Sequence, residues 1–498
     1  MNVDMIQGFF MALAPTSIMA TLFGAFMGLI CGMMPGMTTS AGIIILFPLT
    51  FILDPTTAVA LLLGVFAGGM TGGSFSAILI NIPGSPSASA TLVDGHPLTQ
   101  KGEAGRALGI SIISGLTGGI FSFLCLLLIA PQLTKVALQF RSADLFGLVF
   151  FGMSVVSAFA AKSIVKGLLS VALGLVVITV GMDPVVGTAR YSFDNTNMLA
   201  GIHFIPALIG LFAIPEIVKV LGEGEVRKSA KKFGRVLPSW KDIKTIRLPV
   251  SIGSVIGTFI GILPGAGGPI AVFIAYDYAK KASKNSKEFG KGCIEGVAAP
   301  ESANSSIAGG ALVPMMTLGI PGDPITAILI GALIVHGMTP GPLLFVEQGP
   351  FAYSVLFSYF VAICSTATVA FLGLRIIVKL LSIPRSVLLP LIIALCVLGT
   401  YALRNSFFDI YVMLFFGLLA IFAKWLDMPV VPLLLALVLG PQLEEHLRVA
   451  LTSSRGDISI LYTSPWCLFF LCLSVISFAW PFFLEWWARA KAKRQPQA

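Results

Sequence analysis

Apolar residues run along this chain in long unbroken stretches, and polar ones gather in short clusters rich in Gly, Pro and Ser. The stretches at about 56–82, 105–131, 142–161, 163–182 and 197–221, and again at about 295–322, 350–374, 386–403, 407–423 and 459–484, approach or exceed the ~20 residues a helix needs to cross a hydrocarbon core of ~30 Å. They predict ten spans. The apolar pieces 325–338 and 428–441 are shorter and are expected to be re-entrant or interfacial. Two further segments are split by helix breakers, one at Pro35-Gly36 and the other, Leu248 to Ala279, at Leu263-Pro264-Gly265-Ala266-Gly267-Gly268. Arms of ~15 residues there would reach only ~23 Å. The pattern therefore predicts a helical hairpin with its tip inside the membrane, where non-helical backbone survives only if it is buried in protein or lines an aqueous cavity.

The two split segments repeat one another. Gly24, Gly28, Gly32, Pro35 and Gly36 match Gly253, Gly257, Gly261, Pro264 and Gly265 at a constant offset of 229. Ile82-Pro83-Gly84-Ser85-Pro86 then matches Ile320-Pro321-Gly322-Asp323-Pro324 at an offset of 238. Each glycine ladder alone reads as a helix-packing surface. A helix breaker at the same place in both halves needs another reason, because packing does not require it. The chain reads as two homologous halves.

Composition sharpens this picture. Of 498 residues, 56% are hydrophobic and 11% charged, and the mean hydropathy is +0.94, too little charge to coat a soluble surface. The net charge of +9 is read as membrane orientation rather than as an affinity for nucleic acid. No Lys or Arg occurs before Lys101, whereas Lys219 to Arg247 is densely basic and a second cluster spans Lys280 to Lys291. Cations on both flanks of the second hairpin and none around the first predict that the hairpins open to opposite sides, the mark of inverted-topology repeats. Lys135 and Arg141 fall on the outer side and run against the rule. The expected organisation is an all-α polytopic membrane protein with a first repeat at 1–222 (tip near 35–37), a basic cytoplasmic linker at 223–247, a second repeat at 248–485 (tip near 264–268) and a basic cytoplasmic tail at 486–498. Seven scattered Cys and the isolated His96, His203 and His336 predict no disulfide framework and no metal site beyond a possible Na⁺.

The polar motifs carry the candidate chemistry. Gly36, Met37, Thr38, Thr39 and Ser40 follow the first tip, and Gly265, Ala266, Gly267 and Gly268 form the second. Both are poised to open helices whose N-termini hold carboxylates through free N–H groups. Thr71 to Ser74, then Asn81, Pro83, Gly84, Ser85, Ser87 and Thr91, and finally Asp94 to Pro97 resemble neither a helix nor an ordinary loop. They line a cavity or form a solvated connection. Pro321, Gly322 and Asp323 repeat the break in the second half. Glu295, Glu301, Asn304 and Ser305 open an apolar stretch with hard oxygen atoms suited to Na⁺, and either Glu can alternatively carry a proton or pair with Lys284 or Lys291.

Taken together, the two G-x3-G-x3-G-x2-P-G hairpins, Gly72-Gly73-Ser74 leading to Asn81-x-Pro83-Gly84, Asp94-Gly95-x-Pro97, Glu295-Gly296-Val297-Ala298-Ala299-Pro300-Glu301-x-Ala303-Asn304 and Leu318-Gly319-Ile320-Pro321-Gly322 closely resemble the large membrane subunit of the tripartite tricarboxylate transporter family, TctA-type. The resemblance implies secondary uptake of di- or tricarboxylates across a bacterial inner membrane in symport with Na⁺ or H⁺, with no other cofactor. It implies two partners, a periplasmic solute-binding protein and a small four-helix membrane subunit, and a cytoplasmic C-terminus. Ser302, Ser305, Phe75 and Asp323 depart from the usual residues, and Asp323 adds a negative charge beside a break. An anion channel and an intramembrane enzyme are the rival classes. Against the enzyme, the spans show no HExxH, paired Asp or Ser/His dyad.

Overall fold

The computed structural model describes residues 3–34, 37–160, 163–183, 186–222, 236–265, 267–380 and 385–492. Nearly all of them are helical. The first half contains α1 (Val3–Ala12), α2 (Pro15–Met33), α3 (Thr39–Leu46), α4 (Pro55–Ile80), α5 (Ser89–Gln100), α6 (Ala104–Ala137), α7 (Ser142–Ala160) and α8 (Ile164–Ile178). A two-residue hairpin pairs β1 (Gly181–Met182) with β2 (Ala189–Arg190), and α9 (Thr196–Leu199) and α10 (Phe204–Gly222) follow. The second half contains α11 (Trp240–Ile262), α12 (Gly268–Ala282), α13 (Ile294–Leu318), α14 (Pro324–Val335), α15 (Pro342–Glu347), α16 (Gly349–Leu380), α17 (Arg385–Arg404), α18 (Phe407–Trp425), α19 (Val430–Ser453), α20 (Ile460–Thr463) and α21 (Pro465–Ala492). Among the described residues, seven helices are long and apolar enough to cross a membrane: α2, α4, α6, α11, α16, α18 and α19.

Several sequence expectations are corrected. The polar run Asn81 to Thr91 and Asp94 to Pro97, expected to be neither a helix nor an ordinary loop, is helical from Ser89: α5 runs through Asp94, Gly95 and Pro97, because burial of Ala90, Thr91, Asp94 and Leu98 outweighs poor propensity. The expected linker 223–247 ends early: Ser239 and Asp242 form a capping box that starts α11 at Trp240. At 23 residues, α11 reaches ~35 Å, and the 19 residues of α2 reach ~29 Å. Only the returning arms α3 and α12 are short, with 8 and 15 residues. The apolar piece 428–441 is the first part of α19, a 24-residue helix. The expected tail boundary at 485 falls inside α21, while 223–235 and 493–498 lie outside the described residues.

The chain divides into two compact units. One comprises Met1–Lys135, Ile205–Leu263 and Gly267–Ala420. Within it the glycine ladders pack backbone on backbone. A Cβ placed on Gly24, Gly28 or Gly32 of α2 would meet the carbonyl oxygens of Leu61, Val65 and Gly69 of α4 at 2.1, 2.4 and 2.2 Å. On Gly253, Gly257 and Gly261 of α11 it would meet those of Ala299, Ala303 and Ile307 of α13 at 2.2, 2.3 and 2.6 Å. Residue numbers rise together on both sides, so each ladder helix lies parallel to its partner. The ladder glycines are related by 229 and their partners by 238, the offsets already read from the sequence. The repeat is thus also a repeat of contacts.

The other unit comprises Val136–Phe204, Pro264–Ala266 and Ile421–Ala498. In it Asp144 of α7 accepts the Cys467 N–H at 3.0 Å and the Ser464 hydroxyl, capping α21, and Gly147 lies against Cys467. Arg448 reaches Asp183 at 2.9 Å and Arg190 reaches Glu444 at 2.8 Å, which ties the β-hairpin to α19. Gly265 belongs to this unit and rests on Val156.

Candidate functional site

Both chain breaks close onto their own ladders. Asn81 and Gly319 end α4 and α13 in left-handed conformations, φ 59° and 70°. That turn brings the next glycine down on the ladder: a Cβ on Gly84 would lie 1.9 Å from the Gly32 carbonyl oxygen, and one on Gly322 3.2 Å from that of Gly261. No side chain fits at Gly84. The Gly84 N–H donates to the Gly73 carbonyl at 3.1 Å, Ser85 sits over Gly73, and the Ser85 and Ser87 hydroxyls are 3.0 Å apart.

The second half contributes Gly268, the first residue of α12, whose open side faces Ser87. Gly267 caps that helix at φ 76°. Thr38 caps α3 by accepting the Ala41 N–H at 3.2 Å, and Thr39 packs on Gly69 with its hydroxyl buried and without a hydrogen-bond partner. The structure therefore brings together Gly84, Ser85, Ser87 and Gly268, beside two helix N-termini. Met37 and Pro321 are buried close by in sequence, Ser40 and Pro83 are half-buried, and Asn81 is exposed. Gly36 and Ala266 lie outside the described residues. Asp323 opens α14: its Oδ1 accepts the Thr326 N–H and hydroxyl, both at 2.7 Å, in a capping box.

A second polar cluster joins α4, α5, α6 and α13. Glu301 is 1% exposed, and its carboxylate accepts the Thr91 hydroxyl on one oxygen and the Ser111 hydroxyl on the other, the latter at 2.7 Å. The Ser74 hydroxyl faces the same carboxylate without completing a hydrogen bond. Asn304, one turn on, is fully buried. Its Nδ2 donates to the Met70 carbonyl at 3.1 Å, and its Oδ1 has no partner.

The other candidates part company from this pair. Glu295 accepts the Ser283 hydroxyl at 2.8 Å and the Asn285 amide at 3.4 Å, so neither Lys284 nor Lys291 pairs with it. It lines a polar cavity of about 420 Å³ with Arg106, Lys241 and Asp242. Ser305 lies against Gly115 and lines a narrow cleft of about 20 Å³ with Thr71, Tyr359 and Thr366.

Ser111 escaped the sequence reading, since one Ser in an apolar span looks like a packing residue. Its only available signal was the spacing Ser111, Ser114 and Gly115, which puts small residues on one face of α6. Asp94 also has a role the sequence left open. Its Oδ1 accepts the N–H groups of Gly290, Gly292 and Cys293 at 2.8–2.9 Å, while Oδ2 accepts the Tyr276 hydroxyl at 2.8 Å.

Comparison with known proteins places the chain among transporters. The family model described as "Tripartite tricarboxylate transporter TctA family" matches residues 18–435. An uncharacterized 52.8 kDa protein from the TAR-I ttuC' 3' region of Agrobacterium vitis is 37% identical over 464 residues, 92% of this chain and 91% of that relative. A second uncharacterized protein, from the TAR-II ttuC' 3' region of the same organism, is 41% identical over 212 residues, 42% of this chain and 86% of that relative. No solved structure matches.

Proposed function

The chain belongs to the tripartite tricarboxylate transporter TctA family, and from that premise we propose that it takes up di- or tricarboxylates across the bacterial inner membrane by cation symport. A periplasmic binding protein delivers the substrate, and a small four-helix subunit accompanies this chain. The family's tripartite description supports the kind of partner.

The observation that carries the reading is the doubled break. Each half interrupts its helices at the same two points and closes the second break on its own ladder. In an apolar protein, backbone opened in this way supplies N–H donors for an anion without a cationic side chain. Thr38, Thr39, Ser40, Ser85, Ser87, Gly267 and Gly268 present hydroxyls or free N–H groups to the substrate carboxylates. Pro83, Gly84, Pro321 and Gly322 shape the breaks. The coupling cation is read at Glu301 and Asn304.

Helix directions support inverted halves. Met70 faces Asn304 while Ser74 faces Glu301, so α4 and its counterpart α13 run antiparallel. Gly119 meets Ile363, Ser122 meets Tyr359 and Phe123 meets Phe357, so α6 and its counterpart α16 do likewise. Alternating access then follows as one half rocks against the other around a shared site.

The test is uptake of citrate-like acids into proteoliposomes holding the assembled transporter and its binding protein, under an imposed Na⁺ or pH gradient. Accumulation that follows a cation gradient is expected. Uptake indifferent to both gradients identifies a channel, and binding without accumulation defeats symport.

A further inference from the structure

We propose that Glu301, Asn304 and Ser74 are the direct ligands of the coupling ion, and that this ion is a hard monovalent metal cation of the Na⁺ type; the inference rests on the symport reading and adds the ion and its ligands. The three residues occupy two facing rungs. Glu301 and Asn304 are three apart on α13, and Met70 and Ser74 are four apart on α4, so each pair shares one helix face. Glu301 lies opposite Ser74, and Asn304 opposite Met70.

The hydrogen-bond inventory decides between a proton and a metal ion. Glu301 is buried, its donors are the hydroxyls of Thr91 and Ser111, and among the described residues no Lys, Arg or His pairs with it. A carboxylate in that position requires compensation. A proton would supply it for Glu301 alone. It would leave Asn304 Oδ1 and Ser74 Oγ as they are, buried and without partners. Because Asn304 Nδ2 is committed to the Met70 carbonyl, Oδ1 is the free end of the amide. One hard cation satisfies all three oxygens at once, and carboxylate, amide carbonyl and hydroxyl are the ligands such ions select. A single carboxylate matches one positive charge, whereas Ca²⁺ sites gather several. Thr91 and Ser111 then orient the carboxylate from behind.

The placement also explains coupling. α4 ends at the Asn81 break and α13 at the Gly319 break, so an ion held between them links the two helices that carry the breaks. The site occurs in one half: the counterparts of Glu301 and Asn304 at the 238 offset are Leu63 and Phe66, both fully buried.

The experiment uses the full-length protein in detergent, with no gradient and no carboxylate. Thermal stability is followed against NaCl, KCl and choline chloride at constant ionic strength, and binding of radioactive Na⁺ is measured directly. The expected result is a saturable Na⁺-specific rise in Tm, weakened at least tenfold in apparent affinity by Ser74→Ala and Asn304→Ala, abolished by Glu301→Gln, and unchanged by Glu295→Gln and Ser305→Ala. Should Glu301→Gln fail to fold, Ser74→Ala, which removes one hydroxyl, decides alone. Equal responses to the three salts overturn the proposal, as does a Na⁺ response that survives in Ser74→Ala or disappears in Glu295→Gln. A pH-dependent shift in Tm removed by Glu301→Gln, with no Na⁺ response in the parent protein, assigns the site to a proton and also overturns it. Failure of citrate uptake in proteoliposomes would defeat the transport reading and leave the Na⁺ result standing.

Discussion

The two halves of the first unit share a scaffold and differ in chemistry. Where the halves must touch their own backbones they agree: Gly24 with Gly253, Gly28 with Gly257, Gly32 with Gly261, Gly72 with Gly310 and Gly84 with Gly322. Gly72 meets the Leu29 carbonyl and Gly310 meets that of Thr258, again counterparts at 229. Where polar atoms do the work, the halves diverge. Glu301 stands opposite Leu63, Asn304 opposite Phe66, Asp323 opposite Ser85, and Asp94 opposite Ala332. The repeated contacts make the frame, and the candidate site residues fall where the two halves differ.

The largest expected effect tests the shared frame. Gly28→Val and Gly257→Val each drive side-chain atoms into a carbonyl 2.3–2.4 Å from the new Cβ. Each should cost ~3 kcal/mol or more and reduce folded protein on size exclusion to a similar extent. One variant folding normally would break the equivalence. Asp94→Ala, on the divergent side, removes an acceptor shared by three N–H groups and a phenol, a loss of ~3 kcal/mol. It should lower Tm and speed protease cleavage within 283–293, whereas Ala332→Ser at the counterpart should do neither. Glu301→Gln keeps the shape of the site, so folding persists while gradient-driven uptake falls ~100-fold, or ~2.7 kcal/mol. The matched Leu63→Gln should lower Tm and leave the cation dependence of the remaining uptake intact. Smallest is Asp323→Ala, which removes one N-cap at ~1 kcal/mol. Because Asp323 Oδ1 holds the cap through Thr326, Asp323→Ser should restore Tm and leave the preference among di- and tricarboxylates unchanged. A changed preference would return Asp323 to the substrate.

What the sequence made legible follows the same division. The ladders and breaks were readable because backbone contact admits only glycine and a chain break favours Pro-Gly, so two halves under one constraint keep identical residues. α5 was not readable. Its Gly95, Pro97 and run of hydroxyls argue against a helix, and only burial against the second half makes one. The start of α11 carried its signal, Ser239 three residues before Asp242, but charges at Lys241, Lys244 and Arg247 suggested a loop. In the site, Glu301 and Asn304 were visible as polar residues in apolar surroundings. Ser111 was not, since its partner lies 190 residues away, and no local pattern distinguishes a packing serine from one that steadies a carboxylate.

The offset grows from 229 to 238 between the tips and the partner helices, so the second half has nine more residues there than the first. They fall in the stretch running from α12 through 283–293 to α13, the segment whose N–H groups converge on Asp94. The added length is therefore fastened by a residue of the first-synthesised half, one whose counterpart in the second half is the alanine Ala332. On a ribosome working from the N-terminus, Asp94 is already made when Gly290 to Cys293 emerge. The acceptor waits for its donors, and the order of synthesis becomes an order of assembly: the half that carries Glu301 is completed on a template laid down by the half that lacks it.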